Sequence, residues 1–306
     1  MMLQNNIGSE RVVVVTGGAG FIGSHLVDRL LSLGYKVIVL DDLSTGKLEN
    51  VNPKAKLVIC NIAKSTTDFL CEQTKNVDIV FHLAAKTSVQ ESIENPEMYN
   101  EINVGGTLKM LEVCRLNDIP KFILSSTSAI YGDAQTPTSE TNPTNPISPY
   151  ATTKLIGENY CELYSRIYEL ETVCLRYFNV YGNRMSNTGG YKLVMPIFKD
   201  QLLNGKPLTI NNDGEQRRDF VHVEDVVDVN MLVATVDGLP GEIFNVGSGK
   251  NYSVNEIAEM FGGEKKYGTH VIEPSETLAD TTKLGSVFGW SSGNDIRDWV
   301  VQYIKD

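Results

Sequence analysis

A doubly wound parallel sheet of the α/β class, followed by a smaller C-terminal α/β lobe, is the fold this sequence predicts. Three observations carry it. Short β-branched runs alternate with helical patterns through roughly the first 180 residues, a glycine-rich turn joins the first run to the first helix, and beyond residue 182 the elements become shorter and more polar. Val12–Val15 are four β-branched residues in a row, the pattern of a strand buried on both faces. Further strands are read in Lys36–Leu40, Leu57–Cys60, Val77–Phe81, Phe122–Leu124 and Thr172–Arg176, a strand–helix alternation that makes a parallel sheet. Ser24–Leu31 has helical spacing, and long helices are expected over 97–116 and 150–168, the second starting behind Pro149. Asn183–Gly190 reads as a loop, Met195–Leu203 as a helix, Phe220–Val223 as a return to the first sheet, and a helix follows from Glu224. Ser253 and Glu256 form a capping box that opens another helix. The expected division is 1–180 for the first domain, with about 215–246 returning to it, and 181–306 for the interleaved lobe.

Composition excludes several functions. Of 306 residues, 42% are hydrophobic, enough for a large core and against disorder. The 27 basic and 38 acidic residues leave a net charge of −11 with no basic tract, which excludes the clustered cationic face that nucleic acid needs. Anionic small molecules remain open, because a few placed arginines suffice. Cys60, Cys71, Cys114, Cys161 and Cys174 lie far apart with no Cys-x-x-Cys pair, as in proteins of a reducing cytosol. His25, His82, His222 and His270 have no metal-ligand spacing, so no metal is expected. Residues 1–10 lack the basic and apolar regions of a signal peptide, and no apolar run approaches the ~18 residues that span a membrane. A cytoplasmic protein with no membrane partner is expected.

Glycines recur at Gly17, Gly20 and Gly23 between the first strand and the first helix. Such glycines turn the chain, admit a pyrophosphate close to the backbone, and let helix pack on strand. The helix N-terminus then offers free N–H groups and partial positive charge to the phosphates. The second strand ends in Asp41-Asp42, about 20 residues on, where an acid reads a ribose 2′-hydroxyl. Together these features describe a Rossmann-type unit for a dinucleotide, with NAD favoured over NADP. The glycines are separated by two residues each, and the run from Thr16 through Phe21 and Ile22 to Gly23 resembles the extended branch of the short-chain dehydrogenase/reductase superfamily, whose members act on nucleotide sugars.

Tyr150 and Lys154 are four apart in a predicted helix, which puts both side chains on one face. An ammonium beside a phenol favours the phenolate, so the tyrosine becomes usable as a general base. The pair lies 23 residues beyond Thr127 in Ser125-Ser126-Thr127. Tyr-x-x-x-Lys with an upstream hydroxyl resembles the catalytic set of the same superfamily. That resemblance implies that Thr127 hydrogen-bonds the reacting hydroxyl and that Lys154 also binds the nicotinamide ribose.

Over nearly the whole chain the resemblance narrows to UDP-hexose 4-epimerases. Its segments are Phe81-His-Leu-Ala-Ala85, Asn103-Val-Gly-Gly-Thr107, Ser125-Ser-Thr-Ser-Ala-Ile-Tyr-Gly132, Leu175-Arg-Tyr-Phe-Asn-Val-Tyr-Gly182 and Arg218-Asp-Phe-Val-His-Val-Glu-Asp225. By position it implies cofactor contacts from Ser125, Leu83, Ala84, Ala85, Asn103 and Tyr177, and substrate contacts from Asn179 and Arg218, the last on the pyrophosphate. Asn61 stands before Ile62 at the adenine edge, where an acid is usual; an amide can still accept from the adenine amino group. The family's second pyrophosphate arginine has no counterpart in 270–277. Related dehydratases and decarboxylases carry an acid just past the catalytic threonine, where this chain has Ser128 and Ala129. In the resembling 4-epimerases one wall of the hexose pocket is set by the residue two before a late Ala-Asp pair. The Ala279-Asp280 pair therefore implies Thr277 for that wall, a small residue that would admit an N-acetyl group at C2.

The implied reaction is redox-neutral 4-epimerisation through a 4-keto sugar, with NAD retained. A dehydratase, reductase or synthase acting on another nucleotide sugar, and a catalytically silent NAD(H)-binding protein, are the alternatives. A homodimer is also implied by the resemblance, through two helices carrying Leu108, Leu111 and Val113, and Leu155, Leu163 and Ile167; the same residues could instead face the sheet.

Overall fold

Alternate side chains of one strand leave opposite faces of a sheet, and the first valine run uses both. Val13 and Val15 join one core layer while Val14 joins the other. The computed structural model describes residues 11–185, 193–269 and 274–305. Its strands are β1 (Val12–Thr16), β2 (Lys36–Asp41), β3 (Lys56–Ile59), β4 (Ile79–His82), β5 (Lys121–Thr127), β6 (Glu171–Tyr177), β7 (Asn179–Tyr181), β8 (Leu208–Ile210), β9 (Arg217–His222), β10 (Glu242–Val246), β11 (Asn251–Ser253) and β12 (Lys265–Tyr267). Its α-helices are α1 (Phe21–Ser32), α2 (Thr67–Gln73), α3 (Val89–Glu94), α4 (Pro96–Tyr99), α5 (Gly106–Leu116), α6 (Pro149–Tyr168), α7 (Val194–Leu203), α8 (Val223–Thr235), α9 (Val254–Phe261), α10 (Thr282–Phe288) and α11 (Ile296–Tyr303).

Seven strands form one parallel sheet in the order β10-β6-β5-β4-β1-β2-β3. Leu26, Val27 and Leu30 of α1, a valine stripe of α8 and Leu284 of α10 cover one face. Leu70 of α2, Met110 and Leu111 of α5, and Cys161 and Tyr164 of α6 cover the other. This is the doubly wound Rossmann-type arrangement. A mixed three-stranded sheet (β11-β9-β7) and a parallel pair (β12-β8) make the smaller lobe, whose separate core joins Met195, Phe198, Phe220, Ile257, Phe261 and Val300. Among the described residues no helix is long and apolar enough to cross a membrane.

Three readings need correction. Phe220–Val223 does not return to the first sheet: β9 pairs with β7 and β11 instead. Its Arg217, Arg218 and Asp219 do not suit a strand sandwiched between helices, and the apolar β10 takes the place beside β6. The helix over 97–116 is composite, α4 and α5 being joined by a π-helical run, Asn100–Gly105, a form that often marks a functional site. Leu111 and Val113 are fully buried in the layer beneath α5, which removes them from any dimer face. Most of the expected loop at 183–190 lies outside the described residues, as does His270.

Candidate active site

Strand order reverses between β1 and β4, with β2 and β3 on one side and β5, β6 and β10 on the other. Ligands of open α/β sheets bind at such a switch point. A cleft of about 1520 Å³ runs from there towards the smaller lobe. Single small-molecule pockets occupy roughly 300–1,000 Å³, so this one has room for two ligands.

Gly17, Gly20, Phe21, Ile22 and Gly23 line one end. A side chain at Gly17, whose φ is +70°, would meet the backbone nitrogen of Ala84 at 2.8 Å, and one at Gly23 would stand 2.2 Å from the Gly17 carbonyl. The first turn of α1 has no side-chain cap on its N–H groups, which leaves them to an anion. Asp41 and Asp42 line the same end. Asp41 is buried and accepts from the N–H groups of Ala19 and Leu43 at 2.9 and 2.8 Å. Burial raises its pKa, and those two bonds oppose the rise. Asp42 is exposed; partial desolvation works against its charge, but hydrogen bonds from Ser44 and Asn61 and the Lys86 cation outweigh it, and its pKa falls. Asn61 gives its amide N–H to Asp42 at 2.8 Å and accepts from the Lys64 N–H at 3.1 Å, beside Ile62 in the cleft wall. The glycine cradle, the uncapped helix start and the acids therefore fit an NAD-sized dinucleotide.

Leu83, Ala84 and Ala85 form the next stretch of wall. Thr16 Oγ1 accepts from the N–H groups of Leu83 and Ala84, each at 3.1 Å, and contacts His82 Nδ1 at 2.9 Å. With its oxygen accepting twice, the Thr16 hydroxyl donates to Nδ1, and His82 donates from Nε2 to Thr107 at 3.0 Å. This neutral imidazole is enforced by complete burial and by the Lys154 charge, which together lower its pKa to about 3. Asn103 alone among the expected contacts does not line the cleft. It sits behind the wall, accepting from the Lys86 N–H (2.8 Å) and donating to the Lys86 carbonyl (2.9 Å) and Thr153 (3.0 Å).

Ser148 caps α6 by accepting from the Ala151 N–H at 3.2 Å, and Pro149 occupies the first helical position. Tyr150 thus stands in the first turn, where the helix dipole favours negative charge. Lys154 is one turn on, buried at the cleft wall and donating to the Ser125 carbonyl at 2.8 Å. Burial lowers its pKa to about 8, against the pull of Glu158. Thr127 ends β5; its Oγ1 accepts from the Ala129 N–H at 3.1 Å, which leaves its O–H proton for a ligand. Ser125 donates to the Tyr177 hydroxyl at 3.1 Å, and Asn230 does so at 2.8 Å. Burial raises the Tyr177 pKa to about 12, so this phenol stays neutral.

Asn179, Arg218 and Thr277 line the far end. Asn179 donates to the Asp219 carbonyl at 3.1 Å, and Thr277 pairs with the Arg217 carbonyl through its N–H at 3.0 Å. Sequence reasoning missed the group that fixes this end. Asp219 is fully buried and accepts from the N–H groups of Ser248 (2.7 Å), Gly249 (3.1 Å) and Ala279 (3.0 Å), tying β9 to two loops. It also missed Lys86 and His82, and the buried pair of Glu158 with Arg176; Glu158 lies at the same four-residue spacing from Lys154 that revealed Tyr150. The acids among the described residues lining the cleft are Asp41, Asp42 and Glu91, and Glu91 is held by the Tyr99 hydroxyl at 2.9 Å. Among the described residues no group of three or more His, Cys, Asp or Glu could hold a metal.

Comparison with known proteins agrees with this geometry. The profile of the NAD dependent epimerase/dehydratase family matches residues 13–247. A UDP-glucose 4-epimerase from Mycolicibacterium smegmatis is 37% identical over 306 residues, covering 95% of this chain and 97% of that protein. The structure of a UDP-glucose 4-epimerase with UDP-glucose from Thermotoga maritima superposes with a TM-score of 0.91 at 37% identity, covering 96% of this chain and 97% of the other. A UDP-N-acetylglucosamine 4-epimerase from Methanobrevibacter ruminantium, in complex with UDP-N-acetylmuramic acid, gives 0.91 at 35% identity, covering 97% and 98%.

Proposed function

Since this chain belongs to the NAD-dependent epimerase/dehydratase family, we propose that it is a UDP-hexose 4-epimerase acting on UDP-glucose and UDP-galactose and on their N-acetylated counterparts. The observation that carries this reading is the content of the cleft beside Thr127. Tyr150, Lys154 and Thr127 line it together, followed by Ser128 and Ala129. Removing a C5 proton and expelling a C6 hydroxyl needs an acid and a base at that place, and a hydroxyl and a methyl group supply neither.

Tyr150 takes the proton of the sugar C4 hydroxyl, with Thr127 hydrogen-bonded to the same oxygen. The Gly17–Gly23 cradle with Asp41 and Asp42 would hold NAD⁺, which would supply a hydride acceptor and donor for C4. Lys154 keeps its proton, stabilises the Tyr150 phenolate and binds the nicotinamide ribose. Asn179 and Arg218 hold the diphosphate while the 4-keto hexose turns about its bond to the phosphate. Tyr150 then returns the proton to the C4 oxygen, C4 itself now having inverted configuration. Such a site must grip the diphosphate and leave the hexose loose, and Thr277 leaves room for a C2 acetamido group. Exposed Leu116, Ile167 and Tyr168 at the ends of α5 and α6 support a homodimer, and the five free cysteines suit a reducing cytoplasm.

The test is incubation of purified protein with UDP-glucose and with UDP-N-acetylglucosamine, no NAD being added. Chromatography should resolve UDP-galactose and UDP-N-acetylgalactosamine, and acid denaturation should release NAD. Full activity from a preparation that releases none would rule the mechanism out.

A further inference from the structure

One turn beyond Lys154 on α6, Glu158 is 4% exposed and does not line the cleft. Its carboxylate accepts from Arg176 of β6 through Nε at 3.0 Å and Nη2 at 2.7 Å, and from the Ser126 hydroxyl of β5. Arg176 also donates to the Tyr131 hydroxyl at 2.7 Å, and Tyr131 donates to Asn245 Oδ1 at 2.7 Å. Ser126 stands between Ser125, whose carbonyl receives the Lys154 ammonium, and Thr127. One carboxylate is therefore bonded to the strand end that carries two site groups and is borne by the helix that carries the other two. Well-packed apolar side chains usually stabilise such a position as well as a buried ion pair does, so stability alone is a poor reason for it.

We propose that Glu158 is a positioning residue for the C4 chemistry, clamping the end of β5, which carries Ser125 and Thr127, to α6, which carries Tyr150 and Lys154. This rests on the 4-epimerase reading for its catalytic consequence. Lys154 is faced by Glu158 and Cys161 from its own helix, where Tyr150 stands one turn before it, by neutral His82 from β4, by the Ser125 carbonyl from β5, and by Cys174 of β6, two residues before Arg176 on that strand. Glu158 supplies the formal negative charge in this set. Lys154 loses function as pH rises through its pKa, and removing that negative charge moves the loss to lower pH.

The experiment compares wild type, Glu158→Gln, Glu158→Asp and the double variant Glu158→Gln/Arg176→Met in kcat and KM against pH. The wild-type profile should fall near pH 8, the value to which burial brings Lys154. Glu158→Gln should fall about one unit lower, with kcat reduced about 10- to 100-fold and KM for the UDP-hexose little changed. Glu158→Asp should move the fall back towards wild type. The double variant leaves no unpaired buried cation, so it remains informative if the single one does not fold, and its shift should be smaller but in the same direction. A second readout needs no turnover: Tm against pH, relative to Lys154→Met in each background, should begin its rise about one unit lower without Glu158. Wild-type profiles in both Gln-containing variants would overturn the proposal. A shifted Tm profile in a protein that turns over no UDP-hexose would instead uphold the charge relation and sink the 4-epimerase reading.

Discussion

In the proposed reaction Tyr150 and Lys154 divide the chemistry between a proton acceptor in the first turn of α6 and a buried cation one turn later. Tyr150→Phe is expected to lower kcat by about 10²–10⁴ while bound NAD stays near the wild-type amount; turnover close to wild type would favour a binding protein instead. Lys154 has a folded pKa of about 8 against an ordinary 10.5. The unfolded chain therefore binds more protons between those values, and stability rises with pH across that window. Below pH 8 the full cost of burying the charge is present, so Lys154→Met should be about 2–3 kcal/mol more stable than wild type at pH 7, less active, and poorer in NAD. Its advantage should fade between pH 8 and 10.5, and a variant less stable than wild type at pH 7 would refute this. Thr277→Tyr should abolish activity on the N-acetylated pair and spare UDP-glucose and UDP-galactose; unchanged activity on both pairs would remove Thr277 from the pocket wall. Tyr150 and Lys154 were legible because their four-residue helical spacing follows a dinucleotide fingerprint and the upstream Ser125-Ser126-Thr127. Glu158 was not, since its partner Arg176 arrives from a strand, and a lone acid in a helix reads as a solvated one.

Elements were legible where periodicity is local. The first valine run, the capping box at Ser253 and the proline-led start of α6 all stand where the pattern puts them. The misreadings concern partners distant in sequence. The run Phe220-Val-His-Val223 has the pattern of a strand, and nothing local says that Asn179–Tyr181 will pair with it. The helix over 97–116 is interrupted at Asn100–Gly105. There Asn103 spends all its hydrogen bonds on Lys86 and Thr153, bracing the 83–86 wall against α6. Asn103→Ala should cost about 2–3 kcal/mol, for three lost bonds and the buried groups left without partners, and should reduce retained NAD. Calorimetry showing no loss of stability would mean that the wall holds without this brace.

For the whole molecule, the reversal of strand order decides where ligands can sit, and that order follows from which strands lie adjacent, information no single segment carries. Assembly is a separate matter. The remaining exposed apolar side chains at the ends of α5 and α6 predict a homodimer, twice the 33.8 kDa of one chain by light scattering, with Ile167→Glu shifting it towards the monomer; a wild-type mass near one chain would contradict this. Retention of hydrogen at C4 separates epimerisation from its neighbours in chemistry more sharply than product identity does. UDP-glucose carrying deuterium at C4 should give UDP-galactose that keeps the label at C4, with no exchange at C5 when the reaction runs in labelled water. Label lost to solvent, or moved to C6 with loss of water, would contradict 4-epimerisation through a 4-keto sugar.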